Sequence, residues 1–198
     1  MNPVNKDALN KSISTTEDLI VHVFGGPVAG RECGECVMCC KALHIDTQEL
    51  KKPPDVLCVH NTGTGCGIYE TRPSVCRTWL CLWRRIETLP QHMRPDRSGL
   101  LLSAEFGHQN GDPFQKFYVI IRSIDNKSRF ETDLYKNLVR MFSEHVGIPV
   151  YASLDGKKRM VHPDDRLANA IRMDINCADP STLAKAREWR KCLQLTDV

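Results

Sequence analysis

Eight of the ten cysteines in this chain fall between positions 33 and 81, and no other feature constrains the fold as strongly. They are Cys33, Cys36, Cys39, Cys40, Cys58, Cys66, Cys76 and Cys81. A C-x2-C spacing can place two sulfurs on one side of a tight turn, as in zinc and iron–sulfur sites. Adjacent cysteines cannot repeat that geometry, so we expect Cys39 and Cys40 to point toward two sites or two edges of one cluster. The segment is predicted to be organised by something other than a large apolar core.

The whole chain favours metal or redox chemistry over disulfide cross-linking. With 198 residues and 41% hydrophobic residues, it is long enough to build a core without cross-links. Its start, MNPVNKDALNKSISTTEDLIVHVFGG, lacks the features of a secretory signal, which predicts a cytoplasmic protein. In a reducing compartment, clustered cysteines more often serve metal or redox chemistry. Structural disulfides and simple burial are the alternatives, and burial is our interpretation of the isolated Cys177 and Cys192.

The number of cysteines is compatible with one metal site or with two. Two tetrahedral zinc sites would use all eight thiolates, whereas one four-thiolate cluster would leave four for a second cluster or as free thiols. His44 and His60 are near enough in sequence to replace a cysteine. Sulfur ligands suit zinc and iron–sulfur clusters equally well, so ligand softness does not separate the two.

The C-terminal half has the pattern of an ordinary α+β protein. GLLLSAEF and KFYVIIRSI are predicted strands that flank a turn at Asn110-Gly111, and PVYASL and KKRMVH flank a second turn at Asp155-Gly156. SRFETDLYKNLVRMFSEHVG is predicted to be a helix with a capping box formed by Ser128 and Glu131. Two further helices are expected, one capped by Asp164 or Asp165 and one from Ser181 or Thr182 to about Leu195.

The predicted organisation is a lead-in segment (1–30), a cysteine-cluster lobe (31–85) and an α+β body (98–198). Within the lobe, TQELKK can start a helix that Pro53-Pro54 would end. The run RTWLCLWRR can stack bases and hold phosphates. We interpret it instead as an amphipathic helix that packs both tryptophans on the core.

The ordered combination CGECVMCC, Cys58 and CGIYETRPSVCR resembles the YkgJ-like CxxCxxCC family of proteins described as zinc- or iron-chelating. The resemblance covers roughly residues 31–85 and implies a cytoplasmic bacterial metal-binding protein. It implies ligand roles for Cys33, Cys36, Cys39, Cys40, Cys58, Cys66 and Cys76. Cys81 is added as a ligand because it lies close in sequence. Arg72 and Arg77 are expected to offset the negative charge of the thiolates.

The predicted function is metal binding, with zinc or an iron–sulfur cluster held by the cysteines and a protein partner bound by the C-terminal body. An iron–sulfur enzyme for redox or group transfer is the alternative, because a bacterial flagellin lysine methylase has a similar cysteine signature and is associated with an iron–sulfur cluster. This chain is much shorter than that methylase. A nucleic-acid-binding module is less favoured, since the net charge of +3 is mild. No run reaches the roughly 18 to 20 apolar residues of a membrane helix, so no membrane is expected.

Overall fold

The chain folds as an α+β protein, and the computed structural model describes residues 16–107, 111–124, 126–173 and 179–195. The helices in these ranges are α1 Thr16–Phe24, α2 Met38–Ala42, α3 Ser74–Thr78, α4 Pro95–Ser98, α5 Asp133–Ser143, α6 Asp165–Arg172 and α7 Pro180–Cys192. The strands are β1 Ile45–Asp46, β2 Lys51–Lys52, β3 Leu100–Glu105, β4 Tyr118–Ser123, β5 Val150–Leu154 and β6 Lys157–His162. The predicted α+β class is confirmed.

The larger sheet has the strand order β3-β4-β5-β6. The outer pairs, β3–β4 and β5–β6, are antiparallel, and the central pair, β4–β5, is parallel. Parallel neighbours need a crossover connection, and α5 lies in the segment between β4 and β5. Side chains of a strand alternate between the two faces. Accordingly Val119 and Ile121 join the main core, while Tyr118 and Ile120 form a smaller cluster.

The two predicted hairpins differ in their connections. Asp155 and Gly156 have φ values of +51° and +70°, as a two-residue turn between twisted strands requires, so the second hairpin is confirmed. The strands of the first hairpin are also confirmed. Residues 106–117 connect them and include a 3₁₀ turn at Pro113–Gln115. Asn110 lies outside the described residues.

The helix α5 is confirmed, but the capping box predicted at Ser128 and Glu131 was wrong. Residues Lys127–Glu131 form a separate 3₁₀ turn. Thr132 then adopts an extended conformation, which separates this turn from the α-helix that begins at Asp133. The Thr132 hydroxyl caps α5 by accepting a hydrogen bond from the Tyr135 amide at 3.2 Å. The 3₁₀ turn is capped by Asn126 and α5 by Thr132, so the one predicted helix is two elements with separate N-caps.

The cysteine-rich half contains less helix than predicted. The segment TQELKK contributes to the antiparallel pair β1–β2 instead of a helix. Its turn is closed by Thr47, whose amide donates to the Leu50 carbonyl and whose hydroxyl accepts from the Leu50 amide, at 3.0 and 3.1 Å. The run RTWLCLWRR is not one helix either, because α3 ends at Thr78 and a 3₁₀ turn follows at Leu82–Arg84. Both tryptophans still pack on the core, as predicted.

One main hydrophobic core joins the two halves of the chain. It contains Phe24 of α1, Trp83 of the cysteine-rich half, the start of β3 and Phe142 of α5. A second cluster, around Trp189, packs α6 against α7. The cysteine-rich half is therefore packed on the sheet through shared apolar side chains. Within the part of the chain that the structure describes, no helix is long and apolar enough to cross a membrane.

The caps of the two C-terminal helices are both aspartates. Asp164 caps α6, as predicted, by accepting a hydrogen bond from the Leu167 amide at 2.8 Å. Asp179 caps α7 by accepting from the amides of Ser181 and Thr182, and it pairs with Arg166 at 2.6 Å. These donors hold the pKa of the Asp179 carboxyl well below its usual range.

Asp179→Ala is expected to lower the Tm at pH 7, because the ionised carboxylate is what caps α7. A carboxyl whose folded pKa is depressed contributes its full stabilisation above its unfolded pKa of about 3.9 and loses it as the pH falls toward the folded pKa. The difference in Tm between wild type and variant should therefore shrink below about pH 4. Thermal unfolding across pH checks this, with the exposed Glu188→Ala of the same helix as a control. A pH-independent difference would contradict it.

Candidate metal centre

The first two cysteines lie on one tight turn. The Cys36 amide donates a hydrogen bond to the Cys33 carbonyl at 2.9 Å, and Gly34 between them has a φ of +52°, which glycine adopts without strain. Arg84 joins this turn to a distant part of the chain. Its Nη1 lies 3.6 Å from the Cys33 Sγ, and its amide donates to the Cys81 carbonyl at 2.9 Å. Cys81 is thus brought to the Cys33–Cys36 turn.

Cys39 and Cys40 are neighbours in the short helix α2, and they face different parts of the structure. Successive residues of an α-helix point about 100° apart. The two thiols interact with each other, which raises the pKa of Cys39 and lowers that of Cys40. The charges of Cys33 and Cys36 also raise the pKa of Cys39, and Cys39 in turn acts on Lys52.

Four cysteines form one neighbourhood, which we name the Cys33 group: Cys33, Cys36, Cys39 and Cys81. Burial raises the pKa of the Cys81 thiol to about 11, and the charges of Cys33 and Cys36 raise it as well. Burial is also the main reason that the pKa of Cys36 is raised, with contributions from Asp96 and Cys33. The group therefore lies at the edge of the main core, in which Cys81 is buried.

The other four cysteines form a second neighbourhood, which we name the Cys40 group: Cys40, Cys58, Cys66 and Cys76. The Cys58 amide donates to the Cys40 carbonyl at 2.9 Å, and Asn61 connects Cys58 to Cys66 through a hydrogen bond at 3.0 Å and an antiparallel bridge. Cys76 lies on α3. Burial raises the pKa of its thiol, and the charges of Cys40, Cys58 and Cys66 raise it further.

Positive and hydrogen-bonding side chains surround the Cys40 group. The buried Lys52 ammonium donates to the carbonyls of Lys41, Pro53 and Val56 at 2.7–2.9 Å. Burial lowers the Lys52 pKa, although the charges of Cys58 and Cys40 act in the opposite direction. The Arg72 guanidinium stacks on Tyr69, 3.8 Å from the ring centroid. Its charge helps to lower the pKa of Cys40, as does that of Lys52.

Three buried donors at the cysteines have no hydrogen-bond partner of ordinary geometry among the described residues: Asn61 Nδ2, Arg72 Nε and Arg84 Nε. The Asn61 side chain nevertheless faces Cys40 closely enough to lower the pKa of that thiol. Buried donors are rarely left unpaired, and each unpaired one costs about 1 to 3 kcal/mol. Thiolate sulfurs are acceptors for such donors. The donor set and its surroundings therefore fit a sulfur-rich anionic centre.

The eight predicted cysteine ligands thus lie in two neighbourhoods, and the two predicted arginines separate. Arg72 lies beside Cys40 and Cys76, whereas Arg77 is exposed and its charge acts on Glu49. Sequence reasoning did not identify Lys52, Asn61 and Arg84. Arg84 belongs to the basic-aromatic run that was noted for another reason, but no sequence signal marks Lys52 or Asn61.

The thiols are free and do not yet converge on single points. The nine cysteines in the described ranges, Cys192 among them, are free thiols, and Cys177 lies outside those ranges. Among the described residues, no three His, Cys, Asp or Glu side chains are placed to hold one metal ion. Metal binding by either group therefore requires its thiols to turn toward a common centre. His44 is exposed and His60 is half-buried.

The Arg31 guanidinium fastens the start of the cysteine segment to the chain after Cys81. It donates to the carbonyls of Trp83, Ile86, Glu87 and Leu89, with distances of 2.8 and 2.9 Å to Ile86 and Glu87. It also lies over the Trp83 ring, 5.1 Å from the centroid. Arg31 itself is 7% exposed. These contacts fix the distance between the two parts of the Cys33 group.

Arg31→Met is expected to lower the free energy of unfolding by about 2 to 3 kcal/mol, because buried carbonyls lose a charged donor and remain unpaired. Methionine retains most of the apolar contact, so the loss reports on the hydrogen bonds. Chemical denaturation measures it, with the exposed Arg97→Met as a control that should change stability little. Equal effects of both substitutions would show that Arg31 does not fasten this segment.

Comparison with known proteins found no match to the chain among protein-family models, curated proteins or solved structures.

Proposed function

We propose that this chain is a metal-binding protein in which each cysteine group holds one soft metal centre, either zinc or an iron–sulfur cluster. One observation carries the proposal: Arg84 brings Cys81 to the Cys33–Cys36 turn, whereas Cys58 and, through Asn61, Cys66 are connected to Cys40, so the clustered cysteines lie in two neighbourhoods. Four thiolates complete a tetrahedral zinc site and also the ligand set of an iron–sulfur cluster. The proposal agrees with the resemblance to the YkgJ-like CxxCxxCC family, and it includes a reducing, cytoplasmic location.

The surroundings of the cysteines support an anionic centre. Zinc bound by four thiolates has a formal charge of −2, and Lys52, Arg72 and Arg84 supply positive charge next to the sulfurs. The side chains around a metal site orient its ligands and control its properties. Zinc closed by four thiolates would stabilise the fold of the cysteine-rich half. The C-terminal body would then bind a protein partner.

An iron–sulfur enzyme is the second candidate, and the unpaired donors are the observation that favours it. Hydrogen bonds to cluster sulfurs help to set the reduction potential, and Asn61, Arg72 and Arg84 each have a buried nitrogen available for such bonds. Nucleic-acid binding through RTWLCLWRR is less well supported. Base stacking needs exposed rings, whereas Trp83 is 3% exposed and Trp79 packs against the core.

Metal analysis with an absorption spectrum, on protein purified without air, tests the proposal. Two zinc ions per chain and a colourless solution would support two closed zinc sites. Iron with labile sulfide, and broad absorbance near about 400 nm, would support iron–sulfur clusters and the redox alternative. Purified protein that contains no metal, and that takes up neither zinc nor iron under reducing conditions, would contradict the proposed function.

A further inference from the structure

The Cys33 group is anchored in the core. Arg31, two residues before Cys33, binds four carbonyls of the segment 83–89. Cys81 is 8% exposed, and Leu82, which follows it, is 1% exposed. Cys33, Cys36 and Cys39 are half-buried, whereas moving Cys81 away from them requires the main core to open.

The Cys40 group is held much less firmly. The structure describes every residue from Pro53 to Arg72, and each is exposed or half-buried as a whole residue, although the side-chain nitrogens Asn61 Nδ2 and Arg72 Nε are buried. This segment carries Cys58 and Cys66, two of the four cysteines of the group. Its backbone is held by turn hydrogen bonds, the Cys58–Cys40 bond and the bridge between Asn61 and Cys66, and Lys52 binds the Pro53 and Val56 carbonyls at its start.

Apolar side chains of the same segment lie in solvent. Val56, Leu57 and Val59 are 51%, 52% and 85% exposed. Side chains that stay exposed contribute little burial free energy, so they do not hold the segment on the body. Segments with few buried contacts open locally at a low free-energy cost, whereas core segments open at a cost near that of global unfolding.

This difference determines how fast each group can exchange its ligands. A metal leaves a four-thiolate site after successive thiolates are replaced, and each replacement needs the cysteine to move away from the metal. Cys58 and Cys66 can move with the segment 53–72, whereas Cys81 cannot move without Leu82 and Trp83 leaving the core.

We propose that the Cys40 group is an exchangeable metal site, which passes a soft metal ion to or from thiol ligands of another molecule, while the Cys33 group retains its metal. The inference rests on the proposed function, since both groups must hold metal. In each step an incoming thiol loses its proton as its sulfur binds the metal. The displaced cysteine sulfur takes up that proton, so charge is conserved and nothing is oxidised or reduced.

Zinc release from the full-length chain tests the inference. The metal-free chain is loaded with zinc alone under reducing conditions, its zinc content is counted, and excess 4-(2-pyridylazo)resorcinol is added. Two phases of equal amplitude are expected, one zinc each, with rates that differ at least about tenfold. Cys76→Ser should remove the fast phase and Cys36→Ser the slow phase, while Cys192→Ser should retain both.

A second measurement needs no variant. The zinc-loaded wild-type chain is treated with N-ethylmaleimide and digested, and each cysteine is followed by mass spectrometry. Cys58 and Cys66 should be alkylated at least about ten times faster than Cys33 and Cys81. This result holds even if a serine variant fails to fold.

Several outcomes separate the inference from the proposed function. Two bound zinc ions that leave in one phase, or equal alkylation rates in the two groups, would overturn the inference and leave the proposed function standing. Loss of the slow phase in Cys76→Ser would also overturn it. A chain that binds no zinc before the chelator is added would refute the inference, and the proposed function too if iron is likewise not bound.

Discussion

Cys36→Ser and Cys76→Ser are each expected to bind about half as much metal as the wild-type chain, because each removes one thiolate from a different four-thiolate group. A serine hydroxyl is a poor replacement for a soft thiolate ligand. Metal binding also contributes folding free energy, with apparent values of about 10 to 16 kcal/mol for structural zinc. Both variants should therefore be less stable, with the cysteine-rich half loosened most.

Metal content per chain and chemical denaturation measure these losses. Cys192→Ser is the matched control, since Cys192 lies on α7, outside both groups, and it should retain all the metal. The double variant should bind almost none. Full metal content and unchanged stability in both single variants would exclude the cysteines as ligands. Complete loss of metal from each single variant would instead indicate one shared centre.

Trp83→Ala is expected to lower the free energy of unfolding by about 3 to 5 kcal/mol, the usual cost of truncating a large buried aromatic side chain. Trp83 is 3% exposed, lies under Arg31 and donates from its indole nitrogen to the Pro90 carbonyl at 3.3 Å. The substitution removes core packing and the surface on which Arg31 rests. For a chain of this size the Tm should fall by about 10 °C.

Thermal and chemical unfolding of the metal-loaded chain check this result. Trp79→Ala is a suitable comparison, because Trp79 is only half-buried and packs at the margin of the same core. It should cost clearly less than Trp83→Ala. A loss below about 1 kcal/mol for Trp83→Ala would mean that the ring does not join the cysteine segment to the sheet.

The strands and helices of the C-terminal body followed from local patterns. Apolar runs of strand length predicted β3 and β4, and the Asp155-Gly156 turn predicted the pairing of β5 with β6. Local patterns failed where the same residues can form either a helix or a turn with extended backbone. The extended Thr132 divides the helix predicted from residue 128 onward. The turn closed by Thr47 pairs β1 with β2 in a segment whose sequence predicted a helix.

The cysteine spacing by itself favoured soft-metal chemistry, because C-x2-C geometry depends only on neighbouring residues. The proposed ligand set came from the resemblance to the YkgJ-like family for seven cysteines and from closeness in sequence for Cys81. The spacing also predicted that Cys39 and Cys40 would point differently. Which cysteine accompanies which depends on contacts between distant parts of the chain. Arg84 brings Cys81 to Cys33 across about fifty positions, and no local rule contains that information.

The surroundings of the two groups were likewise decided by the tertiary structure alone. Lys52 acts on the Cys40 group because folding buries its ammonium among three carbonyls, and Asn61 faces Cys40 because the segment 53–72 returns to α2. Arg72 and Arg77 looked equivalent in sequence, yet only Arg72 lies beside the sulfurs. Burial and charge act through space, so the sequence determined which cysteines are clustered along the chain, and the fold decided which of them are neighbours in space and how deeply each is buried.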